Sequence, residues 1–595
     1  MAFAQTPLQG RIVLRAISED DITNYKLPAD TERSGGLSTI GLGQPAFLEA
    51  QVNIGVAAAD ITSVDWTLTA KPDGSAAAIV ASPLPATMPS WEMADRVSYR
   101  VADRRLLRPD VKGWYTVTAT ITTKSGVVTA RINITGATYV GIGTCKTCHS
   151  GGPANTAWSM ADSWSTTLHS TMFQNGINGN RTTHYGPNCL PCHTVGYDPA
   201  PQSVNGGFDD VATQLGWTFP STLQPSNWAA VPDALKNVAN IQCENCHGAG
   251  SEHASNGGNP LLISVNMSSG DCGQCHGASP NHIKTAEWNN SMHAVTTTDP
   301  SGPGREGCVG CHTGGGFIQK MRGQTITNTD YNPINCQTCH SPHGRTSPST
   351  NLHLVRNLNP VTLADGTLVD SAGTGTLCMN CHHARQNATQ YAPTAAASPY
   401  FGPHHGPQGD MLEGTNAYTY GVAIPSSAHA DVVTDTCAHC HMQTVGSKDA
   451  AFLQAGGHTF RMSYTDSTGA GHDMVGACQE CHGKKITSFD FPLLDYDGDG
   501  KIEGVQTEVQ HLLDQLSTLL PPAGKPKTSL TIDSTWTRDQ LIAGYNWQFV
   551  NNDGSLGVHN MAYTVGLLQT TIEHLNAKAH FVVKAAGTFR QRKTR

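Results

Sequence analysis

The sequence predicts a multidomain chain: an all-β sandwich at the N-terminus, then a mostly α-helical and loop body, then C-terminal helices. Three observations predict it. Apolar and polar residues alternate with period two in several segments before residue 137. All 18 cysteines fall in one repeated five-residue unit between residues 145 and 482. Apolar residues at helical spacing appear after residue 504. The predicted boundaries are 6–137, 141–483 and 484–595.

The chain has 595 residues, enough for two or three domains, yet only 38% are hydrophobic, 7% aromatic and 14% charged. Something other than side chains must fill part of the interior. The formal charge of -9 argues against a nucleic-acid partner, which wants a basic face. No window approaches the ~18 apolar residues of a membrane helix, so no transmembrane segment is predicted. Ala2-Phe3-Ala4 has the small-x-small pattern of a signal cleavage site, giving the expectation of an export remnant with the mature chain starting near Gln5. The tail Arg590-Gln-Arg-Lys-Thr-Arg595 is too short to be more than a docking or frayed end.

In the first region, alternation appears in Phe47 to Ile54, Val64 to Ala70 and Trp114 to Thr123. A Lys124-Ser-Gly turn then leads into Val127 to Ile134. This reads as an antiparallel sandwich that resembles bacterial immunoglobulin-like domains, with Trp66 as a core tryptophan and without the inter-sheet cysteine pair. Docking, spacing or interface formation is its expected work. A link from Gly136 to Gly143 leads onward.

The repeated unit is CxxCH. Its first copies are Cys145, Cys148 and His149; Cys189, Cys192 and His193; Cys243, Cys246 and His247; Cys272, Cys275 and His276; and Cys308, Cys311 and His312. The remainder are Cys336, Cys339 and His340; Cys378, Cys381 and His382; Cys437, Cys440 and His441; and Cys478, Cys481 and His482. This is the attachment signature of haem c: two thiols add to the porphyrin vinyl groups, and the adjacent imidazole binds the iron. Disulfide frameworks and zinc ribbons also use many cysteines, but neither requires a histidine after every second one. Nine covalently bound haems c are therefore expected, and the macrocycles supply the missing core.

Nine of the 27 histidines are proximal ligands in this reading, leaving 18 for the opposite faces. Ligation by two histidines closes the coordination sphere and favours electron transfer over substrate chemistry. His253 and His282 each follow a proximal histidine by six residues, and His169 and His293 each follow a tryptophan by five, on short helical segments. His343 cannot easily reach the far face of its own ring and should serve a neighbour. The other distal candidates are His184, His404, His405, His429, His458 and His559.

Five segments carry a family resemblance: Cys243 to His253, Phe401 to Leu412, Gly456 to Phe460, Trp164 to His169, and Gly557 to Met561. They resemble the multihaem cytochromes c that include hydroxylamine oxidoreductase, octahaem tetrathionate reductase, pentahaem nitrite reductase and tetrahaem electron-transfer relatives. The resemblance implies helices wrapped round haems in stacked and perpendicular pairs. It also implies distal roles for His253, His458, His559 and one of His404 and His405. The chain departs from the enzymes in lacking CxxCK and in having nine units, a count more like that of nine-haem cell-surface cytochromes that pass electrons to extracellular acceptors.

After the last unit, Asp495-Tyr-Asp497-Gly-Asp499-Gly-Lys501-Ile-Glu503 matches a calcium loop, with oxygen ligands at odd positions and a glycine at the sixth. Its twelfth position is Gln506. Val505, Val509, Leu512, Leu513, Leu516, Leu519 and Leu520 predict a helix ending at Pro521-Pro522, and a second is predicted from Asn560 to about Val583. Core packing on the haem body is their expected use.

The functional expectation is electron transfer through mostly bis-histidine haems in an exported protein, periplasmic or at the cell surface, serving redox partner proteins or extracellular acceptors. Two other readings stand beside it. One is a reductase or oxidase of a small nitrogen or sulfur compound at a five-coordinate haem; the other is a homo-oligomeric or filamentous cytochrome. No catalytic residue is assigned.

Overall fold

Eight strands account for the first part of the chain in the computed structural model. They are β1 Gly10–Leu14, β2 Thr39–Gly41, β3 Ala46–Asn53, β4 Ile61–Ala70, β5 Val80–Ala81, β6 Tyr99–Leu107, β7 Gly113–Thr123 and β8 Gly126–Ala137. The structure describes residues 7–151, 159–181, 184–295, 306–326, 333–344, 351 and 353–590. The expected export remnant at Met1 to Ala4 and the tail from 591 onward lie outside them. Two units divide the chain, Met1–Arg356 and Asn357–Arg595.

In the first unit the strands make two four-stranded sheets, ordered β1-β3-β6-β5 and β2-β8-β7-β4. Their facing apolar residues, among them Leu48, Val52, Val117, Ile121 and Ile134, share one core. Lys124 and Ser125 turn β7 into β8, with Thr123 opposite Gly126. The sandwich is not wholly antiparallel, as alternation had led us to expect, because β2 runs parallel to β8. A long connection reaches β2, so no hairpin dictates its direction. Trp66 is half-buried rather than central: its indole N–H donates to Asp103 at 2.9 Å, a polar partner that keeps the ring at the rim.

Alternation in β3 had suggested one wet face, yet Ala46 to Val52 are all buried. The polar face is covered because its charges are matched. Glu49 meets Arg104 at 2.9 Å and Arg15 at 3.8 Å, and Gln51 donates to Glu49 and to Ser90, both at 3.0 Å. Removing one partner from such a buried pair costs about 3–5 kcal/mol. On β7, the Tyr115 hydroxyl donates to the Val111 carbonyl at 2.8 Å and accepts the Val111 N–H at 2.9 Å, tying the strand to the loop before it.

The second unit is centred on three helices, Val505–Leu519, Arg538–Asp553 and Met561–Arg590. Leu512, Leu516, Trp547, Phe549 and Leu567 form its core with Ala384, Phe401 and Met411 from earlier loops. The middle helix was not predicted. It starts at a capping box in which Thr537 accepts from the Gln540 N–H and Gln540 accepts from the Thr537 N–H. Asn560, fully buried, donates to the Leu412 carbonyl at 3.2 Å and accepts from the Ser427 N–H at 2.8 Å, which fixes its neighbour His559.

Candidate functional site

Most of the CxxCH units lie on helical turns, as in Gly141–His149, Cys243–His247, Ser269–His276, Cys437–His441 and Gly476–His482. Helical spacing puts cysteines three apart on one face, with the histidine one position further on. All 18 cysteines are unbridged. Among the described residues, the one group of His, Cys, Asp or Glu that converges within 4.8 Å is Asp495, Asp497 and Glu508, so no cysteine–histidine set converges as a zinc ribbon would.

Sixteen of the attachment cysteines are half-buried and two are exposed. Cys148 and Cys481 are exposed, because the helices that carry them, Gly141–His149 and Gly476–His482, bury only Gly141 and Ala477. Cys311 and His312 are half-buried at the end of the helix Glu306–His312, where the Lys320 ammonium donates to the Cys311 sulfur at 3.8 Å. Cys381 is half-buried too, and it lies in a turn beyond the helix Gly375–Met379. Its N–H still reaches the Cys378 carbonyl at 3.1 Å, which keeps the two thiols of that unit on one short bend.

The imidazoles provide the test of fit to haem. A ring nitrogen lies about 2 Å from a first-row metal and about 1.1 Å from its ring centre, so two imidazoles on opposite faces of one iron have centres about 6.2 Å apart. In the first unit His149 and His253 are 6.3 Å apart, His193 and His282 6.4 Å, His247 and His343 6.0 Å, and His276 and His169 6.3 Å. In the second unit His482 and His429 are 6.1 Å apart, and His441 and His559 6.2 Å. Each pair joins a CxxCH histidine to a distal candidate from another segment. His282 is also 6.1 Å from His276; pairing it with His193 leaves His276 to His169 and satisfies both. These six pairs do not include the proximal His312, His340 and His382.

The other ring nitrogen is held as iron ligation requires. His247, His253, His340 and His441 turn Nδ1 to the carbonyls of Ser264 at 2.7 Å, Asn259 at 2.9 Å, His353 at 2.6 Å and Phe460 at 2.9 Å. His429 turns Nδ1 to the His559 carbonyl at 3.2 Å, and His193 meets the Tyr185 hydroxyl at 3.0 Å. A carbonyl partner makes Nδ1 the protonated nitrogen and leaves the Nε2 lone pair for a metal. Burial, with nearby His282 and Arg181, pushes His193 down to about 4, and burial lowers His149, His169, His282 and His441 as well. These rings are neutral at neutral pH, the form that binds metal. At His559 burial pushes downward but the Asp553 carboxylate outweighs it, and the net shift is upward.

The remaining candidates sit differently. His184 and His405 are exposed. His293 lies parallel to Trp288 with centres 6.0 Å apart, His404 lies beside His405 at 5.3 Å, and His458 lies 6.1 Å from Phe460. The proximal His382 meets the Gln408 side-chain oxygen at 3.2 Å.

Thiols of different units lie near one another: Cys145 beside Cys243, Cys192 beside Cys275, Cys272 beside Cys336, and in the second unit Cys378 beside Cys437. The fourth CxxCH unit thus meets two others, one through each of its sulfurs. Glu244, inside the third unit, is buried and accepts the Gly141 and Gly250 N–H groups at 2.7 Å and that of Val140 at 3.1 Å. It clamps the helix carrying His149 to the start of the helix carrying His253.

In the acidic loop Asp499 turns to Lys501 at 2.6 Å, and Glu503 faces His511 at 3.4 Å. Glu508, which sequence reasoning missed because it lies past the twelfth loop position, is fully buried beside Asp495 and Asp497 and accepts the Tyr496 N–H at 2.9 Å.

Residues 144–212, which span the first two CxxCH units, match a family model described as cytochrome c554 and c-prime. No curated protein and no solved structure matches the chain. The repeated motif and the family match together support a multihaem c-type cytochrome with covalently bound haem c, working in electron transfer with redox partners. No helix among the described residues is long and apolar enough to cross a membrane.

Proposed function

We propose that the chain carries nine haems c, one at each CxxCH unit, under mostly bis-histidine ligation, and conducts electrons outside the cytoplasm to a redox partner protein or an extracellular acceptor. One observation carries this reading: six CxxCH histidines each face a distal histidine across 6.0–6.4 Å. When bound, haem supplies a one-electron ferric–ferrous couple at each site. The chain does the rest. Paired cysteines would anchor the ring, paired imidazoles would bind its iron, and carbonyl partners at Nδ1 orient those imidazoles. Thiol contacts between units support close spacing of neighbouring sites. The Tyr115 corner and two-sheet core support an immunoglobulin-like reading of residues 6–137, with a spacing or docking role. Asp495, Asp497 and Glu508 support a calcium site that joins the acidic loop to the helix Val505–Leu519.

Intact mass of the purified protein tests the stoichiometry: nine haems are expected, and a smaller number refutes it. Electron paramagnetic resonance of the oxidised protein tests the ligation. Low-spin signals throughout are expected, and one stoichiometric high-spin iron would favour a reductase or oxidase instead.

A further inference from the structure

An axial histidine transmits to its iron the character of whatever its second nitrogen holds: a carboxylate there makes the imidazole a stronger donor than a carbonyl does. His247, His253, His340, His429 and His441 all hold main-chain carbonyls. His559 differs. Its Nδ1 lies 2.7 Å from the Asp553 carboxylate, whose side chain is 1% exposed. Asp553 ends the helix Arg538–Asp553, and its second oxygen accepts from the Ser555 N–H at 3.2 Å and from the Ser555 hydroxyl. The same hydroxyl accepts the His559 N–H at 3.2 Å, so Ser555 locks carboxylate and ligand into one short turn. Every one of these partners donates to Asp553, an arrangement that suits the ionised form. Across the site, His441 keeps a neutral carbonyl partner, Phe460, at 2.9 Å. The two ligands 6.2 Å apart are therefore unequal donors.

We propose that Asp553 is a positioning residue that lowers the reduction potential of the iron held between His441 and His559. The carboxylate gives His559 imidazolate character and so favours ferric over ferrous iron; reduction at this site takes one electron from a neighbouring site and moves no proton. Electrons crossing the second unit then meet an uphill step at the Cys437–His441 site. The proposal rests on the axial pairing given above.

Potentiometric titration of the full-length holoprotein, wild type against Asp553→Asn, tests it. At a fixed potential, the ferric-to-ferrous ratio at one site in nine is expected to fall about tenfold in the variant, an upward shift of about 59 mV for a one-electron couple. Its low-spin resonance should move toward weaker axial donation. Asp553→Glu, which keeps the charge, should stay close to wild type. Should the amide disturb the helix end, Asp553→Ser supplies the same comparison. An unchanged potential in a low-spin Asn or Ser variant overturns the proposal. Peptide mass showing no haem on Cys437 and Cys440 of the wild type would overturn the pairing itself, a distinct result.

Discussion

Replacing Glu244 with alanine should weaken the first unit and loosen one axial ligand at the same time. The carboxylate receives the N–H groups of Val140, Gly141 and Gly250 and is 3% exposed. Burial raises its pKa, and the three donors pull the other way, a balance in which the carboxylate depends on those bonds. Alanine leaves three buried donors unmatched at about 1–3 kcal/mol each, and entering water recovers part, so a loss of about 3–6 kcal/mol is expected. At about 2 °C per kcal/mol, the lower bound is a fall of about 6 °C in melting temperature. Gly141 opens the helix that ends in His149, and Gly250 precedes the helix Ser251–Ser255 that holds His253. The 6.3 Å spacing of those two rings should therefore relax, and one iron in nine should begin to bind cyanide. Calorimetry and cyanide difference spectra measure both. A variant that melts within about 1 °C of wild type and binds no cyanide would refute the clamp.

Glu32 gives a pH prediction. Burial raises it to about 7 from 4.5, against the Arg108 hydrogen bond, and Asp198 adds to the rise. The folded pKa exceeds the unfolded one, so its contribution is fully present below pH 4.5 and lost as pH rises through 7. Glu32→Gln should therefore be more stable than wild type above pH 7, by up to about 3 kcal/mol, with the gain vanishing near pH 4; a gain that does not change with pH contradicts this. Chelating calcium should lower the melting temperature, and Glu508→Gln should weaken calcium binding measured by titration calorimetry; a melting curve indifferent to chelator argues against the site. His343→Ala should open the iron of the Cys243–His247 unit and produce one high-spin signal in nine, whereas a fully low-spin spectrum would dissociate His343 from His247.

Local chemistry was the legible part of this chain. The attachment units, the hairpin of β7 and β8, and the helix from Val505 announce themselves through spacing alone. The helix Arg538–Asp553 does not, because Leu541, Ala543, Tyr545, Trp547 and Phe549 are buried on every side and leave no polar stripe. Thr537 and Gln540, a capping box, were the available signal. Ligand pairing was hidden for a different reason. His343 lies three residues past one CxxCH unit yet faces the histidine of another, and only long-range packing decides that. Exposure of the attachment thiols was equally illegible: the same motif leaves Cys148 and Cys481 at the surface and Cys246 half-buried, according to what packs on each helix. The polar face of β3 looked solvated because the arginines that neutralise Glu49 come from distant segments.

In the second unit one line of hydrogen bonds runs from His382 to the Gln408 side chain, on to the Asp553 carbonyl, through the Asp553 carboxylate to His559, and from the His559 carbonyl to His429. On the proposed pairing, histidines serving three haem sites hang on that single thread, so the turn around Asp553 places three redox centres at once while its carboxylate tunes one of them.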